Sequence, residues 1–171
     1  GARAGSFTAV GSDAFGQKFL DLWDRENVDR SRVKAVPGTR TGVYVISYGP
    51  DGHLFSYYRA GSAASLVTPA DLPLDLIAST KILHLSGISQ AVSTTAADAG
   101  FAAIRHAKAN GTTVSYDTNL RLSLWPLDRA RAVIHAAVAL SDIARPGLDD
   151  AQQLTGLDRA EYICDFYLNL G

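Results

Sequence analysis

The sequence predicts an α/β fold in which a parallel β-sheet with flanking helices carries an inserted β-hairpin. Short strand-like runs alternate along the chain with longer runs that have apolar residues at helical spacing. The β-branched and aromatic run 112–116 follows a glycine and is typical of a buried strand. Residues 41–60 alternate between apolar and polar on both sides of Gly49-Pro-Asp-Gly52, which predicts a hairpin with a tight turn.

The chain opens with a predicted strand at 4–10 and a helix that Asp13 can cap. The helix runs to about Asn27, and its apolar residues recur at helical spacing. These apolar residues are Phe15, Phe19, Leu22 and Trp23. The hairpin at about 41–60 then interrupts the α/β pattern, which predicts a small sheet that stands apart from the parallel strands. Exposed hairpin edges often pair with another chain, so we expect a homo-oligomer formed through this hairpin.

The rest of the chain returns to alternating strands and helices, and we expect residues 1–171 to form one α/β domain. The predicted strands are 81–86, 112–116 and 142–145, with a loop at 87–89 after the first. The predicted helices are 74–79, 93–110, 126–141 and 158–171, and a further helix opens at 146–150. The last helix is expected to have an apolar stripe of Tyr162, Phe166 and Leu170.

Polar side chains follow the strand 112–116 at alternating positions: Asp117, Asn119 and Arg121. The carboxyl ends of strands in an open α/β sheet border the crevice where ligands bind. Arg121 can hold a carboxylate or a phosphate through two parallel hydrogen bonds, and Asp117 and Asn119 can bind sugar hydroxyls. The alternative is that Asp117 and Asn119 only shape the turn and that Arg121 pairs with Asp117.

Composition narrows the classes of function. The net charge is -1 and no basic run occurs, which argues against a general nucleic-acid binder. No apolar run approaches the length of a membrane span. The chain opens without a signal-peptide pattern and has one cysteine, Cys164, so we expect a reducing cytoplasmic location.

Two motifs point to a family. They resemble motifs of 2-keto-3-deoxygluconate kinases, a branch of the ribokinase-like carbohydrate kinases. The first motif is Asp117-Thr-Asn-Leu-Arg121 followed by Leu124-Trp125, and the second is Tyr57-Tyr-Arg-Ala-Gly-Ser-Ala63. The resemblance implies a Rossmann-like parallel sheet whose hairpin forms a lid over the sugar. It also implies transfer of the ATP γ-phosphoryl group to 2-keto-3-deoxygluconate or a similar sugar acid, with Mg²⁺.

The resemblance also implies which residues contact the sugar acid. Arg121 faces the carboxylate, and the matching positions elsewhere are Tyr44, Tyr57, Arg59 and Ile88. A second guanidinium at Arg59 suits an anionic substrate. Asp117 and Asn119 are possible substrate-side or phosphate-side residues.

The chain departs from the family at a motif tied to magnesium and phosphate. The family usually shows Pro-Asn-x-x-Glu, whereas this chain has Pro146-Gly-Leu-Asp-Asp150. Asp150 stands in place of the family's Glu, keeps a carboxylate and is the candidate metal ligand. Gly147 stands in place of the family's Asn, so the side-chain amide is absent. The alternative for Asp149 and Asp150 is stabilisation of a helix N-terminus by negative charge.

In the family that the chain resembles, a Gly-x-Gly-Asp segment carries the catalytic base. No such segment occurs in this sequence. We therefore expect a fragment truncated at both ends, with no catalytic residue of its own and no kinase activity when isolated. A non-catalytic sugar-acid binding domain derived from such a kinase is the alternative. A nicotinamide-dependent oxidoreductase ranks lower because Gly-x-Gly-x-x-Gly does not follow the first strand.

Overall fold

The computed structural model describes residues 2–50 and 52–171, and the chain falls into two compact units. Unit 1 comprises Gly1–Pro73 and unit 2 comprises Leu74–Gly171. The prediction of a single domain over residues 1–171 stays a prediction. No helix within the described residues has the length and apolar character needed to cross a membrane.

Unit 1 begins with a strand–helix–strand unit: β1 (Gly5–Gly11), α1 (Ala14–Arg25) and β2 (Asp29–Val36). β1 and β2 pair in parallel, so α1 is a crossover helix. β2 was not predicted, because its sequence is rich in charged residues and lacks an apolar pattern. Its strand conformation comes from the backbone ladder with β1, a contact between segments that local sequence does not encode.

Asp13 caps α1 as predicted, and it also fastens the segment that leads into the hairpin. Its Oδ1 accepts from the backbone N–H of Gly16 at 2.8 Å and from Oγ1 of Thr41 at 2.8 Å. Its Oδ2 accepts from the backbone N–H of Thr41 at 2.7 Å. These bonds, first of all the one from the Thr41 backbone, hold the pKa of Asp13 below its ordinary value.

The hairpin consists of β3 (Val43–Gly49) and β4 (Gly52–Tyr58), which pair antiparallel from Val43↔Tyr58 to Gly49↔Gly52. It forms a two-stranded sheet of its own, and the described parallel strands do not include it. The prediction of a hairpin apart from the parallel strands is therefore confirmed. The predicted turn residue Asp51 lies outside the described residues.

Unit 2 contains a three-stranded parallel sheet with strand order β5-β6-β7. Its strands are β5 (Ile82–Ser86), β6 (Thr113–Asp117) and β7 (Ile143–Arg145). Its helices are α2 (Leu74–Ser79), α3 (Gly87–Ala91), α4 (Thr94–Ala109), α5 (Leu127–Ala139), α6 (Leu148–Thr155) and α7 (Ala160–Leu168). Ser93 caps α4 through a bond from the backbone N–H of Ala96, as its sequence signals predict.

The predicted loop at 87–89 is instead the start of α3, which carries Ile88 half-buried. Gly87 opens this helix against the segment after β6, because a Cβ there would lie 2.2 Å from the carbonyl oxygen of Thr118. A five-residue helix is too short for an apolar period to show, and its stability comes from such packing contacts.

The core of unit 2 lies between β6 and its flanking helices. Val114 and Tyr116 of β6 are fully buried, as are Ile104 of α4 and Ile134 of α5.

The predicted apolar stripe of α7 is confirmed in part, because Phe166 and Leu170 are half-buried but Tyr162 is not. Tyr162 is 52% exposed, whereas Ile163 and Tyr167 are the buried residues. These two lie four apart and therefore share a face.

Candidate functional site

A cleft of about 520 Å³ opens in unit 2, where β6 and β7 end. The carboxyl ends of parallel strands are where ligands bind in open α/β sheets. The cleft is lined by Asp117, Asn119, Arg121, Ala144, Arg145, Pro146, Gly147 and Asp150. It thus brings together Asp117 at the end of β6, the polar residues Asn119 and Arg121 just after it, and the candidate metal ligand on α6, while their roles stay predictions.

Asp117 and Asn119 shape the turn after β6. The backbone N–H of Asn119 donates to Oδ1 of Asp117 at 3.1 Å, and Nδ2 of Asn119 donates to Oγ of Ser86 at 3.0 Å. Asn119 has a φ of 35°, a left-handed conformation that asparagine tolerates better than most residues. Both side chains therefore have a turn-forming role and still line the cleft.

Arg121 is half-buried at the cleft wall, and its Nη1 donates to the carbonyl oxygen of Leu120 at 2.6 Å. Over residues 2–50 and 52–171, no ion pair joins Arg121 to Asp117, so the predicted alternative pairing does not form. A guanidinium has five N–H donors, which leaves donors for an anionic ligand.

Asp150 sits in the first turn of α6, and its Oδ2 accepts from the backbone N–H of Leu120 at 2.8 Å. The pKa of Tyr167 is raised to about 12, mainly because the phenol is buried and secondarily because of the negative charge of Asp150.

Two carboxylates line the cleft, Asp117 and Asp150, and each has one oxygen bonded to a backbone amide. In the part of the chain that the structure describes, no cluster of three or more His, Cys, Asp or Glu could hold a metal. One or two carboxylates nevertheless suit Mg²⁺ when substrate phosphates complete its coordination.

Arg145 is a cleft residue that the sequence analysis did not single out. It is exposed, and it lies directly opposite Asp117 in the register of β6 and β7. Its position at the end of the next parallel strand could have indicated this, because polar residues at the ends of neighbouring parallel strands meet at the same edge of the sheet. With Arg121 it gives the cleft two guanidinium groups.

A second group of predicted residues lies in unit 1, on the hairpin and just after it. Tyr44 and Tyr57 are cross-strand partners whose ring centroids are 5.9 Å apart. The guanidinium carbon of Arg59 lies 6.0 Å from the Tyr44 centroid and 5.9 Å from that of Tyr57, within cation–π range. The structure therefore assembles Tyr44, Tyr57 and Arg59 into one cationic aromatic cluster.

Nε of Arg59 is buried and has no hydrogen-bond partner among the described residues. Buried polar groups are rarely left unpaired, and this N–H is a donor available to an anionic group. The predicted convergence of Arg59 with Arg121 on one substrate, together with Ile88, stays a prediction.

The comparisons with known proteins agree with this fold. The family model described as "pfkB family carbohydrate kinase" matches residues 1–163 of the chain. The chain therefore belongs to the pfkB family of carbohydrate kinases.

Curated relatives include two 2-dehydro-3-deoxygluconokinases. That of Bacillus subtilis (strain 168) is 36% identical, with 100% of this chain matched to 54% of the relative. That of Thermoproteus tenax is 35% identical, with 100% of this chain matched to 53% of the relative. Fructokinase-2 of Solanum habrochaites is 33% identical over 94% of this chain and 49% of its own length. The chain spans about half the length of these relatives.

Solved structures confirm the ribokinase-like fold. The PfkB protein from Polaromonas sp. JS666 superposes with a TM-score of 0.92 and 30% identity, over 99% of this chain and 58% of its own. Fructokinase from Vibrio cholerae O395, solved with fructose, ADP and calcium ion bound, gives a TM-score of 0.85 and 27% identity. That match covers 99% of this chain and 55% of the fructokinase chain.

Proposed function

We propose that the whole protein transfers the γ-phosphoryl group of ATP to 2-keto-3-deoxygluconate or a similar sugar acid. The substrate is also called 2-dehydro-3-deoxygluconate, the compound in the names of the Bacillus subtilis and Thermoproteus tenax relatives. Family membership supports the kinase class. Fructokinases stand among the relatives too, so the choice of a sugar acid rests on the chain's own cations.

The observation that carries this choice is the unpaired N–H of Arg59 in the cationic aromatic cluster. Its Nε is buried beside Tyr44 and Tyr57 and has no hydrogen-bond partner among the described residues. A carboxylate satisfies such a donor with a charge-assisted hydrogen bond, whereas a neutral hexose has no carboxylate. Arg121 is a second guanidinium of the chain with donors left for an anionic group.

We assign the unit 2 cleft to substrate and phosphate groups, with Asp150 as one ligand of the magnesium ion. A magnesium ion held there would offset negative charge on the transferred phosphoryl group. Asp150 presents Oδ1, because Oδ2 is engaged by Leu120. Asp117 and Asn119 line the same cleft, and Arg145 adds positive charge beside them.

A coupled ADP-release assay on the full-length protein tests the proposal. With ATP and Mg²⁺, we expect turnover of 2-keto-3-deoxygluconate with a higher kcat/KM than for fructose. A preference for fructose contradicts the sugar-acid assignment. If neither sugar is turned over but calorimetry detects binding of the acid, the non-catalytic binding domain is supported instead. The 171-residue chain assayed beside it is expected to be inactive.

We also propose that two copies of the protein associate through the hairpin. Apolar side chains are exposed on both of its strands, namely Val45, Ile46, Leu54 and Phe55. A two-stranded sheet is marginal in water unless something covers it, and a second copy can do so. Light scattering should give a dimer mass. Val45→Asp with Leu54→Asp, two changes on the hairpin face opposite to Tyr44 and Tyr57, should reduce it to that of a monomer. A cytoplasmic location, where ATP is available, belongs to the same proposal.

A further inference from the structure

A buried hydrogen bond joins β6 to α3. The hydroxyl of Tyr116 donates to Oε1 of Gln90 at 2.6 Å, and both side chains are almost completely buried. Burial raises the pKa of Tyr116 far above its ordinary value, so the phenol stays a neutral donor. Two polar groups paired in a packed core hold each other in one orientation, because either one left alone is costly.

Gln90 extends this contact to a third element. Its Nε2 donates to the carbonyl oxygen of Ala97 in α4 at 3.3 Å. The amide packs closely on Gly100, where a Cβ would lie 2.9 Å from both Cγ and Nε2 of Gln90. The Gln90 side chain is thus fixed by β6 on one side and by α4 on the other.

The opposite end of α3 is held by the same stretch of chain. Gly87 packs on the carbonyl oxygen of Thr118, and Ser86 accepts the hydrogen bond from Asn119. Residues 116–119 therefore contact α3 at two points. The backbone of Thr118 packs on the start of the helix, and Tyr116 binds Gln90 near its end. This stretch also contains Asp117 and Asn119 of the cleft.

We infer that Tyr116 and Gln90 are a positioning pair that sets the place of Ile88 relative to the cleft residues after β6. The inference rests on the proposed function and on the expectation, implied by the family resemblance, that Ile88 contacts the sugar acid. An isolated five-residue helix has almost no stability of its own, so contacts of this kind determine its position. If α3 occupies the binding-competent position for only a fraction of the time, the apparent affinity for the ligand falls by that fraction.

A double-mutant cycle in the full-length protein separates positioning from simple stability. Tyr116→Phe and Gln90→Met each leave one buried polar group unpaired, whereas the double variant removes both. We expect stability to fall in each single variant and to recover largely in the double variant.

We expect KM for the sugar acid to stay raised by roughly three- to tenfold in all three variants, as for loss of one hydrogen bond. KM for ATP and kcat should remain within about twofold, because the pair positions Ile88, which is expected to contact the sugar acid and not the nucleotide. If KM for the sugar acid recovers in the double variant together with stability, the pair is merely structural and the inference is wrong.

Thr112→Val is the matched control. Thr112 lies just before the other end of β6, and its buried hydroxyl donates to the carbonyl oxygens of Ile77 and Thr80 at 2.9 and 3.2 Å. The change should destabilise the protein without altering KM for the sugar acid. An equal rise in KM in this variant would contradict a specific role for Tyr116 and Gln90.

Hydrogen exchange gives a readout that does not depend on catalysis. The peptide that covers α3 should exchange faster in Tyr116→Phe, in Gln90→Met and in the double variant, and at the wild-type rate in Thr112→Val. Absence of sugar-acid turnover in the wild-type protein would refute the proposed function, and exchange would still test the positioning. Unchanged exchange in α3 would overturn the positioning.

Discussion

The backbone N–H of Leu120 donates to Oδ2 of Asp150 at 2.8 Å and so ties the segment after β6 to the first turn of α6. Leu120 is buried, whereas Asp150 lines the cleft, so this bond is partly buried. Asp150 therefore has a structural role in the cleft that is separate from any role in binding metal.

Replacing Asp150 with alanine should lower the free energy of unfolding by about 1–3 kcal/mol, because the backbone N–H of Leu120 loses a charged acceptor. Asp149 is the matched control, since it is exposed in the same helical turn. Asp149→Ala should cost about 0.3–1 kcal/mol through loss of negative charge at the helix N-terminus. Urea unfolding followed by tryptophan fluorescence measures both, and equal losses would contradict the structural role.

Gly87→Ala should destabilise the protein by about 1–3 kcal/mol, as overpacking of a dense interior typically does. The added Cβ would lie 2.2 Å from the carbonyl oxygen of Thr118, a backbone atom that cannot move aside alone. At Gly5 a Cβ would lie 3.5 Å from its nearest neighbour, so Gly5→Ala should change stability by about 0.5 kcal/mol or less. Thermal melts compare the two variants, and a Gly87→Ala protein as stable as Gly5→Ala would refute the close packing.

Replacing Arg59 with methionine in the full-length enzyme should raise KM for 2-keto-3-deoxygluconate by roughly 10- to 100-fold, the effect of losing a charged hydrogen bond. Methionine keeps part of the apolar stem against Tyr44 and Tyr57. Arg30→Met removes a guanidinium whose partner is Asp24 on the exposed surface, and it should leave KM within about twofold. A normal KM in Arg59→Met would refute the assignment of Arg59 to the sugar acid.

Protonation of the Asp71 carboxylate should lower the free energy of unfolding in acid. Its pKa is lowered from 3.8 to about 2, chiefly by the bond from Lys34 and then by the backbone N–H of Thr68. Because the folded-state pKa is depressed, this stabilisation is fully present above pH 3.8 and is lost as the pH falls through about 2. Thermal melts from pH 5 to pH 2 should show a smaller decrease for Asp71→Asn than for wild type. An identical acid profile would contradict the prediction.

Local signals in the sequence account for the elements that were predicted correctly. The helix α4 was predictable because Ser93 caps it and Asn110-Gly111 stops it, and both signals act within a few residues. β6 was predictable because it combines β-branched and aromatic residues after a glycine. Asp117, Asn119 and Arg121 could be placed together at one edge because they follow that strand directly.

What sequence reasoning missed depends on contacts between distant residues. The charged strand β2 exists because β1 offers it a ladder, and α3 exists because residues 116–119 hold it. Arg145 joins the cleft through the register that places it beside Asp117, and no local pattern reports a register between separate strands. The Tyr116–Gln90 bond spans 26 residues of chain and has no signature in either segment.

Asp13 also fixes the base of the hairpin. Because its carboxylate holds both the backbone and the hydroxyl of Thr41, the base of β3 is fixed to the start of α1. The returning strand is fixed at Ser62, which is buried and forms a bridge with Arg40. Gly42 on one side and residues 59–61 on the other are therefore the short segments that join the hairpin to these two fixed points. The carboxylate that caps α1 thus also positions the base of the strand that carries Tyr44.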